Sequence, residues 1–338
     1  MNFPHFSKLN KFSSKINFRE LSTNLIRICT FNILSPQYNI LESENKVKKE
    51  SKFKEYWVPR VSSELNMIKK TESDVYCLQE CWMNSSFIQI IQNKFGSNYS
   101  LIKKKRTRKK NDGILIAINN KKYNLLFENH LEFNDQGDRV CSLCHIQSKN
   151  NEKNELIIST THLTFPHSKQ DREMRLEQIK KCINWIKENT SMIIMNKKDQ
   201  NDPNASYNLP LIFAGDFNDE NDKVYNFITQ KEAWNSSFLK VHGREPISTH
   251  KTHQGSHICV DYIFYKNSSK NDPNQIDLKE KKNLKEEKNL DNLTSSTSFI
   301  SPVSAFLIPT TLDDQKFPTF LEFPYSDHRP LIVDFKIE

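Results

Sequence analysis

Nothing in this chain is built for a membrane, a collagen-like rod or a disulfide scaffold. Its 338 residues contain no run of 18 apolar positions, so no transmembrane helix and no stable membrane insertion are expected. Mean hydropathy is −0.70. Glycine is scarce, 6 in all, which excludes collagen-like repeats, and there is no internal repeat. Cysteines number 7, an odd and scattered set. Cys29, Cys77, Cys141, Cys144 and Cys259 lie in apolar, strand-like surroundings and read as reduced core thiols of an intracellular protein. The pair Cys141-x-x-Cys144 lacks a second CxxC, and strand alternation puts its thiols on opposite faces, which argues against zinc.

General basicity is missing too. The net charge is +8, but residues 1–19 carry +4 and KKKRTRKK (103–110) carries +7, leaving −3 for the rest. A diffusely basic, histone-like binder is therefore excluded. Residues 1–24 are basic, contain Ser and Phe, and have no acid before Glu20. They lack the apolar core of a secretory signal and read either as a disordered leader or as a mitochondrial presequence. The expected location is intracellular, cytoplasmic or mitochondrial.

From residue 25 the pattern turns globular. LIRICTF (25–31), VYCL (75–78), GILIAI (113–118), VCSLCHI (140–146), LIISTT (156–161), LPLIFA (209–214), CVDYIFY (259–265), VSAFLI (303–308) and PLIVDF (330–335) predict strands. Trp57, Val61, Leu65 and Ile68 recur at helical spacing, as do Leu176, Ile179, Ile183 and Ile186. Many short strands with few amphipathic helices predict an α/β fold of two stacked sheets covered by helices. Residues 195–208 and 266–298 are polar or low-complexity and read as disordered surface insertions in one catalytic domain spanning 25–338.

Polar residues punctuate the strands. Asn32 follows the first, Glu80 ends the second, and His162 follows LIISTT. Asp216 and Asn218 follow LPLIFA, Asp261 lies in CVDYIFY, and Asp327 and His328 precede PLIVDF. Any one of them reads more simply as a turn residue or a structural histidine. Eight in this order do not.

The series FNIL, LQE, THL, GDFN, DYIFY and SDHRPL resembles the endonuclease/exonuclease/phosphatase superfamily, with its DNase I-like four-layer αββα sandwich of two mainly antiparallel sheets. RTRKKNDGILIA, GDRVCSL, THLTFPHS and STHKTHQGSHICVDYIFY are similar to the nocturnin/CCR4-like branch, especially a poorly characterised plant group. Some plant members carry EF-hands. The sequence holds no D-x-[DN]-x-[DN]-G loop, so no calcium-sensor module is expected.

The resemblance implies phosphoester hydrolysis with a divalent metal, Mg²⁺ or alternatively Mn²⁺. That chemistry must neutralise charge at phosphorus, make a nucleophile from water and stabilise a leaving oxygen. Glu80, helped by the Asn32 amide, suits Mg²⁺, and Asp327 joins the metal cluster or orients a neighbouring imidazole. His328 is suited to take a proton from water. By resemblance, Asp216 activates or aligns that water, Asn218 and His162 donate to phosphate oxygens, and Asp261 orients a catalytic histidine or supports a second metal.

His250 and His253, with His257, read as a loop reaching substrate rather than a zinc site. KKKRTRKK reads as a nuclear-localisation-like patch, a solvated loop or, preferably, a phosphate-backbone tether through Lys105, Arg106 and Arg108. Arg172 and Arg175 are expected in solvent-facing salt bridges. The favoured function is a nuclease on RNA, with 3′→5′ exonuclease action. The alternative is a phosphoesterase on a small molecule or lipid: a nucleotide 2′-phosphatase, a sphingomyelinase or an inositol-phosphate phosphatase. PYSDHRP in place of a PAWTDR-type motif argues against the last, and the absence of membrane-seeking segments against the second. A catalytically dead binding module has no chemical need for Glu80, Asp216 and His328 together. Protein partners are not legible.

Overall fold

The computed structural model describes residues 24–43, 46–201, 209–267, 298–310, 317–319 and 322–338. In chain order its strands are β1 (Leu25–Asn32), β2 (Ile40–Ser43), β3 (Lys46–Lys49), β4 (Val75–Trp82), β5 (Tyr99–Lys105), β6 (Asp112–Asn119), β7 (Tyr123–Glu132), β8 (Val140–Ser148), β9 (Glu155–His162), β10 (Leu211–Asp216), β11 (Asn235–Ser236), β12 (His250–Lys251), β13 (His257–Ile258), β14 (Asp261–Lys266), β15 (Ile300–Leu307) and β16 (Leu331–Ile337). The helices are α1 (Lys54–Lys69), α2 (Ser85–Phe95), α3 (Lys169–Asn201), α4 (Lys223–Asn226) and α5 (Ser237–His242).

Two six-stranded sheets form the centre, in the orders β15-β16-β1-β4-β6-β5 and β11-β14-β10-β9-β8-β7. Pairing is mainly antiparallel, with β1–β4 and β10–β9 parallel. Alternation along each strand gives every sheet two apolar faces. Ile28, Ile116, Cys144, Ile158, Ala214 and Val333 fill the space between the sheets. On the outside of the first sheet, Cys29, Tyr76 and Leu115 pack against Trp57, Val61, Leu65 and Ile68 of α1 and Phe87 of α2. On the outside of the second, Cys141, Leu143 and Phe213 pack against Ile179, Ile183 and Ile186 of α3. Each such side chain contributes about 1.5–3 kcal/mol on burial, so both outer helical layers are held by their stripes. The expected four-layer αββα sandwich is the fold. All seven cysteines are free and buried, with Cys141 and Cys144 on opposite faces of β8. Among the described residues, no helix is long and apolar enough to cross a membrane.

Each of the nine predicted strands is present. The short strands β2, β3, β11, β12 and β13 lie outside the predicted set, and so do the longer β5 and β7. Both are edge strands. An edge strand exposes one face and carries charge that discourages further pairing, so its sequence reads as polar. Lys103–Lys105 of YSLIKKK are such residues. The polar stretch expected over 195–208 is helical as far as Asn201, as an extension of α3; residues 202–208 lie outside the described set, as do residues 1–23 of the leader and 268–297 of the second insertion.

Candidate active site

The eight punctuating residues meet at one edge of the sandwich because of strand direction. The parallel strands β9 and β10 end together, with His162 opposite Asp216. The antiparallel β14 begins where β10 ends, with Asp261 opposite Asp216. In the other sheet β1 and β4 end side by side, with Asn32 opposite Gln79. The antiparallel β16 starts there too, preceded by Asp327 and His328. Hydrogen bonds cross between the sheets at this edge, among them Asn32 Nδ2 to Asp216 Oδ2 at 3.0 Å and Gln79 Nε2 to Thr160 Oγ1 at 3.2 Å.

Local backbone features aim the side chains. The β4–β6 register slips between Leu78 and Cys81, and Glu80 has a φ of 57°. This bulge turns its carboxylate toward Asn32 Nδ2 (3.3 Å) and the Ser35 amide (3.0 Å). Gly215 has a φ of 153°, and a Cβ there would lie 2.2 Å from the Thr161 carbonyl oxygen, so glycine brings Asp216 tight against β9. Asn218, at φ 52°, donates its amide N–H to Asp216 Oδ1 (2.9 Å) and its side-chain Nδ2 to Leu163 O (2.9 Å). Ser326 Oγ donates to Asn32 O (2.8 Å) and accepts from the His328 amide (3.1 Å), tying the Asp327–His328 turn to β1.

Asp216 Oδ2 is the centre of the cluster. Besides Asn32, it faces His162 Nε2 at 3.4 Å and His328 Nε2 at 3.7 Å. His328 Nδ1 in turn meets Asp261 Oδ2 at 2.8 Å. Burial sets the electrostatics. It pushes the Asp216 carboxyl up to about 6, against the pull of His328. It pushes Glu80 up to about 7, aided by Asp327 and Asp112. Burial opposes the charge on His328, but Asp261 and Asp216 outweigh it and raise the ring to about 10. His162 is driven well below its usual value by burial and by the nearby Arg139 and Arg106.

His250 is not on an exposed loop. It is buried, stacked on His328 with ring centroids 4.1 Å apart, and its Nδ1 donates to Asp327 O at 3.1 Å. Burial and His328 push it down to about 3. His253 is exposed at the tip of the β12–β13 hairpin, its ring 6.2 Å from that of Phe165. KKKRTRKK is not one basic surface. Lys105 is exposed at the end of β5, whereas Arg106 is turned inward, bonded to Asp112 Oδ2 (3.2 Å) and to Gly137 O (2.8 Å). Arg108 is exposed and faces Asp138 at 3.3 Å. The tether expectation is therefore corrected for Arg106, whose charge is spent on a buried carboxylate. Arg172 is exposed, as expected, but Arg175 is buried and bonded to Asp219 at 3.2 Å.

Three participants escaped the sequence reading. Asp112, fully buried, accepts from Tyr38 OH at 2.7 Å and faces Glu80. Arg139, in GDRVCSL, stands beside the carboxylates. Gln79 binds across the sheets. Each lies inside a motif that carries the resemblance, NDGILIA, GDRVCSL or LQE, but nothing in one dimension showed which of their residues turn toward the site.

The residues fit a divalent cation. Buried carboxylates crowd together, which raises Glu80 and Asp216 and which a cation would relieve. Asp261 Oδ1 is buried without a hydrogen bond. Two groups, His250–Asp327–His328 and Asp216–Asp261–His328, each bring ligand atoms within 4.8 Å of one another. Oxygen-rich donors with imidazole suit hard or borderline divalent ions.

Such a cluster at one edge of an αββα sandwich defines a class. The model of the Endonuclease/Exonuclease/phosphatase family matches residues 29–328, and the chain belongs to this family. It is 29% identical over 260 residues to an uncharacterized calcium-binding protein of Arabidopsis thaliana, covering 72% of this chain and 51% of that one. The chain spans little more than half the length of the curated relatives it matches. Among solved structures it is similar to the human Nocturnin catalytic domain with bound sulfate (TM-score 0.60, 18% identity, 94% of this chain and 95% of that). It is also similar to ANGEL2, a 2′,3′-cyclic phosphatase in complex with adenosine-2′,3′-vanadate (TM-score 0.59, 18% identity, 93% and 96%).

Proposed function

We propose that this protein is a Mg²⁺-dependent phosphodiesterase that cleaves RNA as a 3′→5′ exonuclease, with Mn²⁺ able to replace Mg²⁺. The observation that carries the hydrolytic part is the convergence of Asn32, His162 and His328 on Asp216 Oδ2, beside Glu80 and Asp261. Glu80, Asn32 and Asp327 would hold the cation, which supplies charge neutralisation at the phosphate.

The chain's own residues divide the rest. Asp216 Oδ2, raised toward neutrality, takes a proton of the attacking water as its oxygen bonds to phosphorus, while the P–O bond to the leaving oxygen breaks and that oxygen is protonated from solvent. Asp261 and Asp216 raise the His328 ring to about 10, which favours its Nε2–H as a donor to phosphate oxygens over the role of base expected from the sequence. Asp261 holds that ring through Nδ1. His162, kept neutral, donates Nε2–H without competing for the proton. Asn218 braces the Asp216 carboxylate through its backbone amide. RNA is favoured by the rings of Phe165, His167 and His253, which cluster just beyond His162 and His250 in the chain as a surface on which a base can stack. Exposed Lys105, Lys109 and Lys110 add charge for a phosphate backbone.

The test is a substrate panel: single-stranded RNA, double-stranded DNA, NADP⁺, sphingomyelin and inositol phosphates, each with Mg²⁺ and with EDTA. RNA shortened from its 3′ end is the expected result, lost in EDTA and in Asp216→Ala and His328→Ala. Activity that survives EDTA or both substitutions refutes the mechanism. Intact RNA with a cleaved small phosphoester replaces the nuclease by the small-molecule reading.

A further inference from the structure

Arg139 is 8% exposed, and two of its guanidinium nitrogens, Nε and Nη1, are buried and make no hydrogen bond. A cation taken out of water without a hydrogen-bond partner works against the fold. Arginine does not escape that cost by losing its proton. The surrounding fold holds the residue there. It precedes β8, whose first residue carries the carbonyl that accepts from Thr161 Oγ1 at 2.9 Å, one position before His162. Asp138, at φ 56°, turns the chain so that its own carboxylate faces Thr107 and Arg108. Gly137 has no room for a side chain: a Cβ would lie 2.2 Å from Thr164 Oγ1. The turn is thereby pressed against the loop that leaves His162.

The carboxylates whose charge reaches Arg139 are Asp112, Glu80 and Asp216. Each is committed elsewhere. Asp112 takes Arg106 and Tyr38. Asp216 takes Asn32 and Asn218. Glu80 is the main candidate for the cation. A divalent ion that neutralises Glu80 would remove one of the three negative charges that reach the guanidinium. Its neighbour His162 is driven well below its usual value by burial and by Arg139 itself, so that ring adds no positive charge beside the guanidinium.

We propose that Arg139 is a substrate-binding cation, which takes non-bridging oxygens of the phosphate beside the carboxylate cluster. This rests on the phosphodiesterase reading for its substrate, but not for its geometry. A guanidinium presents its N–H donors in a rigid planar fork that matches phosphate, and both Nε and Nη1 have donors to give. Binding is strongest when charge builds on those oxygens, so the residue acts on the rate as well as on affinity.

The experiment uses the full chain with Mg²⁺ and the variants Arg139→Gln and Arg139→Lys. Orthovanadate affinity is read by calorimetry, kcat/KM with bis(p-nitrophenyl) phosphate and with RNA, and thermal melting is recorded for each. Arg139→Gln is expected to weaken vanadate binding at least tenfold, lower kcat/KM about 10²–10³-fold and leave Mg²⁺ affinity intact. Its melting temperature should stay level or rise, because an unpartnered buried charge is gone. Arg139→Lys should recover part of the vanadate affinity, and carries the test should the Gln variant not fold. Wild-type vanadate affinity in Arg139→Gln, or no vanadate binding by the wild type, overturns the proposal. Vanadate bound through Arg139 without hydrolysis of any phosphoester refutes the enzymatic reading while leaving the anion site standing. Hydrolysis unchanged in both variants does the reverse.

Discussion

Replacing Asp261 by Asn isolates the charge that governs His328. The substitution keeps shape and removes one negative charge 2.8 Å from Nδ1, between two groups that are 1% and 5% exposed. His250 serves as an internal control. It is stacked on His328 in the same dry edge, has a carbonyl rather than a carboxylate at Nδ1, and is pushed down to about 3. His328, with Asp261, stands at about 10. In Asp261→Asn the ring should therefore titrate below neutrality. Removing one member of a buried pair costs about 3–5 kcal/mol; with Asp216 still 3.7 Å from Nε2, the lower end is expected. At about 2 °C per kcal/mol for a chain of this size, the melting temperature falls by roughly 6 °C. The sign is set by linkage. A histidine raised in the folded state stabilises it fully below its unfolded value of about 6.5, and that stability is lost as pH rises through about 10. The gap between wild type and variant should be widest at pH 6 and close above pH 10. NMR titration of the imidazole and melting at several pH values measure both quantities. A variant ring that still titrates near 10, or a melting gap independent of pH, refutes the reasoning.

The same geometry sets other outcomes. Glu80 is raised to about 7, so its ionisation works against the fold as pH rises through that value. Stabilisation by Mg²⁺ should therefore be larger at pH 8 than at pH 5.5 and vanish in EDTA; equal melting shifts at both pH values would count against Glu80 as a ligand. Gly215→Ala forces a Cβ onto the Thr161 carbonyl at a strained φ and should lower stability by about 2 kcal/mol or more and displace Asp216, which denaturation and kinetics will read. Wild-type stability and rate together would disprove the close approach. Arg106→Gln should lower the melting temperature by breaking its bonds to Asp112 and Gly137. Lys105→Gln and Arg108→Gln should leave melting unchanged and reduce the salt slope of RNA binding, and the opposite pattern would restore the continuous basic tether.

Much of the molecule was legible in one dimension. Strands betray themselves by short apolar runs, and the polar residues that end them stand in a fixed order. The helical stripes of α1 and α3 were readable because a 3.6-residue period survives without knowledge of the partner. What hid was exposed on one side or paired at a distance. The edge strands β5 and β7 mix apolar with charged and polar residues, Lys103–Lys105 in one and Glu128, His130 and Glu132 in the other, so they lack the unbroken apolar runs that mark the buried strands. Arg106 and Lys105 are neighbours of the same charge, yet one faces a buried aspartate and the other solvent.

Residue type and order, through the family they resemble, pointed to the four-layer class, and they marked eight polar residues that the fold brings to one edge. How charge is shared among those residues was left to the packed fold. It seats His250 on His328, turns Arg175 inward, bulges β4 to aim Glu80 and strands Arg139 without a partner. The reason is physical. Burial and Coulomb interaction depend on distances of a few ångströms between segments as far apart in the chain as Asn32 and Asp216, and those distances exist only once the two sheets have closed on each other.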